Sequence, residues 1–210
     1  MPTLLHLDAS PRGDHSISRQ LSSSAVSTWK RKHPEGLVIE RSLTVTKMTF
    51  VDMDWISGSF TAPNQHTENH KRALEKSDEL ISELLHANDI VIGPPMYNFA
   101  VPAVLKAWID QVVRSGKTFR YTASGPEGLA KDRRALITIA SSGNYDESSR
   151  GVAHDFETPY LRFILGFIGI TDVTFVHAGQ TIRVAQGQVS NGEYLAPYLK
   201  EVETVILHRW

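Results

Sequence analysis

A doubly wound α/β fold, with five parallel strands and helices on both faces, is what this sequence predicts, and three observations carry it. Short apolar segments alternate with longer segments whose apolar residues recur every three or four positions, the pattern of strand–helix–strand crossovers. No internal repeat or low-complexity segment interrupts that alternation. The 210 residues are 41% hydrophobic and 21% charged, enough to bury one full core, so residues 1–210 are read as a single domain.

Each element follows from its own pattern. Strands are expected at Leu4–Asp8, Leu37–Arg41, Ile90–Gly93, Ala135–Ala140 and Val173–His177, all short and apolar. Between them, Ile17, Leu21, Ala25 and Trp29 mark one helix face. A second helix runs through Ala73, Leu74, Leu80, Ile81, Leu84 and Leu85, and a third through Val101, Val104, Leu105, Trp108, Ile109 and Val112. The segment Tyr160–Ile168 is apolar nearly all round, and the last helix carries Leu195, Leu199, Val202 and Ile206. Pro102 and Pro159 suit helix starts, where a missing N–H costs nothing. Two connections, Thr44–Gln65 and Phe119–Leu129, are too long for plain loops and point to a binding site or a subunit contact.

Composition removes several function classes. Lys plus Arg number 22 against 23 Asp plus Glu, and a net charge of −1 offers no field for nucleic acid or an anionic membrane. With no cysteine there is no disulfide, thiolate metal site or Cys nucleophile, so redox chemistry needs a bound cofactor. The start Met1–Asp8 lacks a secretion signal and no apolar run reaches membrane-spanning length, so a cytoplasmic protein is expected. His66 and His70 stand four apart, but no third ligand is obvious and a solvated helix entry is the expectation, with no metal. No G-x-S-x-G elbow marks a hydrolase. A phospho-acceptor domain needs an Asp ending the third strand, where Gly93-Pro94-Pro95 stands.

Ligands on such sheets bind beyond the carboxyl ends of the strands, which directs attention to three loops. Ser10-Pro11-Arg12-Gly13-Asp14-His15-Ser16-Ile17-Ser18 opens into the first helix, where free N–H groups and serine hydroxyls suit one phosphate, although for this loop taken alone helix capping is the favoured reading of the serines. It lacks the Lys of a Walker A loop and the glycines of a dinucleotide loop. Pro94-Pro95-Met96-Tyr97-Asn98-Phe99 sets two aromatics around one amide that both donates and accepts, which suits a flat heterocycle or, more plainly, core packing. Ser141-Ser142-Gly143-Asn144 is small enough for close backbone approach to a ring. Together they supply the phosphate grip, ring platform and close-approach loop of an FMN site.

Pro95–Phe99, Leu105–Asp110, Gly116–Thr122, Gly125–Leu129, Thr158–Leu161 and Leu165–Ile170 make the chain resemble the FMN-dependent NADH-azoreductase family over nearly its whole length. The resemblance implies a flavodoxin-like sheet in the order 2-1-3-4-5 and one non-covalent FMN per subunit. It further implies NADH as electron donor and ping-pong, two-electron reduction of quinones and azo compounds. By resemblance, Ser10, Arg12, Ser16, Ile17 and Ser18 hold the phosphate side of FMN. Pro95, Met96, Tyr97, Asn98, Phe99, Ser141, Ser142, Gly143 and Asn144 contact the ring, with Phe119 and Tyr121 on the substrate side. No side chain is catalytic, since the chemistry lies at flavin N5 and Asn98 tunes it. Many members carry Ser-Arg-Gly-Gly after the fourth strand; this chain has Ser141-Ser142-Gly143-Asn144, or the match begins at Ala140. An FMN-binding electron carrier and an FAD-dependent quinone reductase of the same fold are the alternatives. A homodimer with a shared site is expected, covering Phe50, Met53, Trp55, Phe60, Phe119 and Tyr121, with Trp55 chosen as the contact residue.

Overall fold

The computed structural model describes residues 1–146 and 148–210. Strands β1 (Thr3–Asp8), β2 (Leu37–Ser42), β3 (Asp89–Gly93), β6 (Arg134–Ala140) and β7 (Asp172–Ala178) form one parallel sheet in the order β2-β1-β3-β6-β7. Counting sheet strands alone, this is the expected order 2-1-3-4-5, and each strand lies within one residue of its expected bounds. Strands β4 (Phe119–Thr122) and β5 (Gly125–Gly128) form a separate antiparallel hairpin within the Phe119–Leu129 connection.

Alternation along the strands sends side chains into two cores. Leu5, Leu7, Ile90, Ile92 and Ile137 face α3 (Glu68–His86), α4 (Ala103–Val112) and α5 (Thr158–Phe167), with Leu84, Trp108 and Leu161 among the buried partners. Leu4, Val91, Leu136 and Val176 face α1 (Ile17–Lys32) and α7 (Asn191–Arg209), meeting Leu21, Trp29, Val202 and Ile206. Gly93 lets α1 close on the sheet: a Cβ there would stand 2.9 Å from Ser22 Cβ and 3.0 Å from the Ser18 carbonyl oxygen. The start of α1 therefore lies directly over the carboxyl end of β3. His66 precedes the helix rather than sharing its face with His70, because Thr67 caps α3 by accepting the His70 N–H. No cluster of three metal-ligating side chains occurs among the described residues, and no helix among them is long and apolar enough to cross a membrane.

The long Thr44–Gln65 excursion contains an unforeseen helix, α2 (Met53–Phe60), capped by Asp52 and packed on α3. Here one expectation is corrected. Trp55 is 9% exposed, and its Nε1 donates to Gln111 Oε1 at 2.8 Å, so it belongs to this chain's interior and not to a subunit contact. Gln111 in turn donates to the Thr49 carbonyl at 2.8 Å, which pins the excursion to α4. Phe119, expected on the substrate side, is 7% exposed and packs against Phe167 at 4.7 Å between ring centroids. Removing only the indole donor, Trp55→Phe, leaves the Gln111 carbonyl buried without its partner. We expect a loss of about 1 to 3 kcal/mol in denaturant unfolding, with the same cofactor content.

Candidate functional site

The loops after β1, β3, β6 and β7 converge on a cleft of about 270 Å³ lined by Ser10, Arg12, Ser16, Ile17, Pro95, Met96, Tyr97, Ala140, Ser142 and Thr181. On its first wall Ser16 caps α1, its Oγ accepting the Arg19 N–H at 3.3 Å while lying 3.1 Å from Ser18 Oγ. The capping and anion-binding readings of these serines are therefore compatible, because the cap satisfies one donor and leaves others. The N–H groups of Ile17 and Ser18, first and second in the helix, have no acceptor among the described residues. Arg12 is exposed at the cleft and forms no ion pair among the described residues. Free donors, a helix dipole and a guanidinium with no ion pair among the described residues give this wall the chemistry to accept an anion.

The second wall is held by an extension of the sheet. Met96 N–H donates to the Ala140 carbonyl at 2.8 Å and Ala140 N–H to that of Pro94 at 3.2 Å, so the ladder runs past the end of β3. The chain then reverses through a tight turn in which Tyr97 and Ala100 exchange both backbone hydrogen bonds. Asn98 (φ 49°) and Phe99 (φ 69°) both sit in the left-handed region, an uncommon conformation for an aromatic residue that the surroundings must enforce. The Phe156 N–H donates to the Phe99 carbonyl at 3.0 Å, and the Phe99 ring lies 5.9 Å from that of Tyr145. Asn98 and Phe99 are exposed at the tip of this turn, beside the cleft and not among its lining.

The third loop is divided. Ser142 faces the cleft, whereas Ser141 is buried, its Oγ donating to the Gly143 carbonyl at 3.0 Å and its N–H to that of Ala178 at 3.1 Å. Asn144 opens on a neighbouring polar cleft, its Oδ1 accepting the Asp146 N–H. The Gly143 and Asn144 N–H groups meet no acceptor among the described residues. Ser18 lies behind the first wall, reaching the cleft through Ser16. Tyr121 stands 72% exposed on the β4–β5 hairpin, outside the cleft. The sequence reading missed Ala140 and Thr181. Thr181 follows the fifth sheet strand, so the rule that directed attention to three carboxyl-end loops would have found it had the fifth been included.

The profile of the flavodoxin-like fold family matches residues 2–202. An FMN-dependent NADH:quinone oxidoreductase of Burkholderia lata is 45% identical over 202 residues, covering 96% of this chain and 95% of that protein. One from Trichormus variabilis is 50% identical over 175 residues, 83% of each chain. This chain belongs to the flavodoxin-like family of FMN-dependent NADH:quinone oxidoreductases. In structure it is similar to an azoreductase of Bacillus anthracis, with a TM-score of 0.88, 28% identity, and 98% and 99% of the two chains covered. An FMN-dependent NADH-azoreductase of the same species, solved in complex with FMN, gives a TM-score of 0.86 at 26% identity, covering 99% and 98%.

Two titratable groups stand out near these loops. His6 is buried beside the first wall and its pKa is lowered, chiefly by burial and partly opposed by Asp8, so the ring is neutral and bonds Ser22 Oγ at 2.9 Å. Glu157 directly follows Phe156 and is fully buried, and neither carboxyl oxygen has a partner among the described residues. Burial first, and Asp155 second, push its pKa well above the ordinary 4.5. Because the fold favours the protonated form, this stabilisation is complete below the ordinary value and is lost as pH rises through the folded one. Glu157→Gln cannot ionise. Its melting temperature should therefore gain on the parent's as pH is raised from about 5 to about 8; an unchanged gap would show that the carboxyl is not buried in its neutral form.

Proposed function

We propose that this protein is an FMN-dependent NADH:quinone oxidoreductase that also reduces azo compounds. The observation that carries the reading is the convergence of the uncommitted Ile17 and Ser18 N–H groups with the unpaired Arg12 on the cleft bounded by Met96 and Tyr97. That donor set matches one phosphate monoester, the single phosphate of FMN, and the family relationship supports the same cofactor. Bound FMN supplies the redox chemistry, passing two electrons as hydride from NADH to the acceptor.

The chain's own residues bind and orient. Ser10, Arg12, Ser16 and the first turn of α1 hold the phosphate, with Ser18 supporting Ser16. Pro95, Met96 and Tyr97 form the ring platform. The turn tip would offer the ring the Asn98 amide and the N–H groups of Asn98 and Phe99, which have no acceptor among the described residues. Gly143 and Asn144, whose N–H groups meet no acceptor among the described residues, would offer two further donors to the reduced ring. Among the described residues no histidine or carboxylate lines the cleft, and water supplies the product protons.

We infer further that the working unit is a homodimer. Phe60 is 81% exposed, and Phe50, Met53, Tyr121 and Phe163 are also open to solvent. Burying each such side chain contributes roughly 1.5 to 3 kcal/mol, which a second copy of this chain would gain.

The purified protein should be yellow with FMN released intact on denaturation; recovered FAD would overturn the cofactor assignment. NADH oxidation with a quinone should give parallel double-reciprocal lines, because one cleft serves both substrates in turn. Replacing Ser16 and Ser18 together by Ala should weaken FMN binding by about 1 to 3 kcal/mol in a fluorescence titration. Light scattering should give a mass near twice the 23.4 kDa of the chain, and Phe60→Asp should lower it.

A further inference from the structure

The first cleft wall has a support that the cofactor reading does not itself require. Asp8 ends β1 with its side chain 6% exposed. Its Oδ1 accepts the Ser10 N–H at 3.2 Å, and its Oδ2 is ion-paired with Arg19 Nη2 in the first turn of α1. Arg19 also donates its backbone N–H to Ser16 Oγ at 3.3 Å. One pair of side chains thus closes the base of the loop, joining the residue where the chain leaves the sheet to the residue where the helix is established. The Ser10 hydroxyl, released from anchoring duty, takes the Arg12 N–H at 3.4 Å inside the loop.

A buried carboxylate beside an anion site repels the anion unless its charge is cancelled. Arg19 cancels it from behind, since it lines the cleft on the β2 side of the loop and not the phosphate cleft. Among the described residues no other cation pairs with Asp8: His6 is held neutral by burial, and Arg41 is taken by Glu79 and Glu83. We propose that Asp8 and Arg19 are positioning residues for the cofactor phosphate, Asp8 shaping the loop through Ser10 and Arg19 neutralising Asp8 so that the loop accepts a dianion. The inference rests on the reading that this loop takes the FMN phosphate.

Riboflavin, which has the ring and no phosphate, separates this role from simple structural support. Binding of FMN and of riboflavin to the flavin-free full chain is read by quenching of flavin fluorescence. In Arg19→Gln the uncompensated carboxylate should raise the Kd for FMN about ten-fold or more and leave that for riboflavin within about three-fold. Asp8→Asn/Arg19→Gln keeps an acceptor for the Ser10 N–H and removes the charge, so FMN affinity should return to within about three-fold of the parent. Asp8→Ala/Arg19→Gln has no acceptor and should stay weak for FMN alone. Equal loss of both flavins in Arg19→Gln would mean a structural ion pair, and failure of the Asn/Gln pair to recover would mean that Arg19 attracts the phosphate directly; either result overturns the proposal. If Arg19→Gln does not fold, the two double variants decide it, since equal FMN affinity in both would remove Asp8 from the loop's geometry. A parent chain that binds riboflavin as tightly as FMN would overturn the phosphate reading itself, before any variant is compared.

Discussion

A parallel sheet has to be buried on both faces, and most of this structure follows from that requirement. Strands β1 and β3 send apolar side chains alternately to the α1/α7 layer and to the α3/α4/α5 layer, so neither face can be left to water. Covering both faces while keeping the strands parallel demands a helical crossover after each strand. Every strand-to-helix loop then emerges at the same edge of the sheet. The order β2-β1-β3-β6-β7 reverses direction between β1 and β3, so the loops leaving these two strands diverge and open a crevice between them. The cleft bounded by Ser10, Ser16, Met96 and Tyr97 is that crevice.

The character of the crevice comes from backbone groups more than from side-chain charge. With a net charge of −1 the molecule has no long-range field for an anion, so attraction has to be local. The start of α1 supplies it, and the close approach permitted at Gly93 places that start over the sheet edge. Most ion pairs lie at the surface, such as Lys71 with Glu68 and Arg31 with Glu203, where screening leaves them little weight. Asp8 with Arg19 and Asp89 with Arg134 are different because their carboxylates are buried, and of the two only Asp8 also holds the loop after β1, through the Ser10 N–H.

Some elements were legible in sequence and others were not, for reasons that differ. The five sheet strands and the long helices carry an apolar period that survives any tertiary context; the strand bounds were readable to within a residue, whereas α3 begins at Glu68 and α7 at Asn191, several residues before their first apolar markers, because polar first turns carry no period. Helix α2 was hidden because eight residues, Met53–Phe60, cover barely two turns and include Ser57, Gly58 and Ser59. The β4–β5 hairpin showed its Ser124-Gly125-Pro126 turn, but Gly125–Gly128 has no alternation to mark a strand. Thr181 escaped notice because its loop looks ordinary until β7 is seen beside β6.

By itself the sequence determined the layers and the strand order expected of its resemblance, and it pointed to three loops at the carboxyl ends of the strands, because periodicity and turn residues are local properties of the chain. Only the tertiary structure decided which side chains of those loops share a cleft. Ser16 and Ser142, 126 positions apart, meet there, while Ser141 turns inward and Asn98 rises to the tip of a turn. The same limit decided the aromatic residues. Trp55 and Phe60 lie on one short helix, yet one is buried against Gln111 and the other stands in solvent. Hydrophobicity states only that a side chain gains by leaving water; which neighbour receives it depends on packing between segments far apart in the chain.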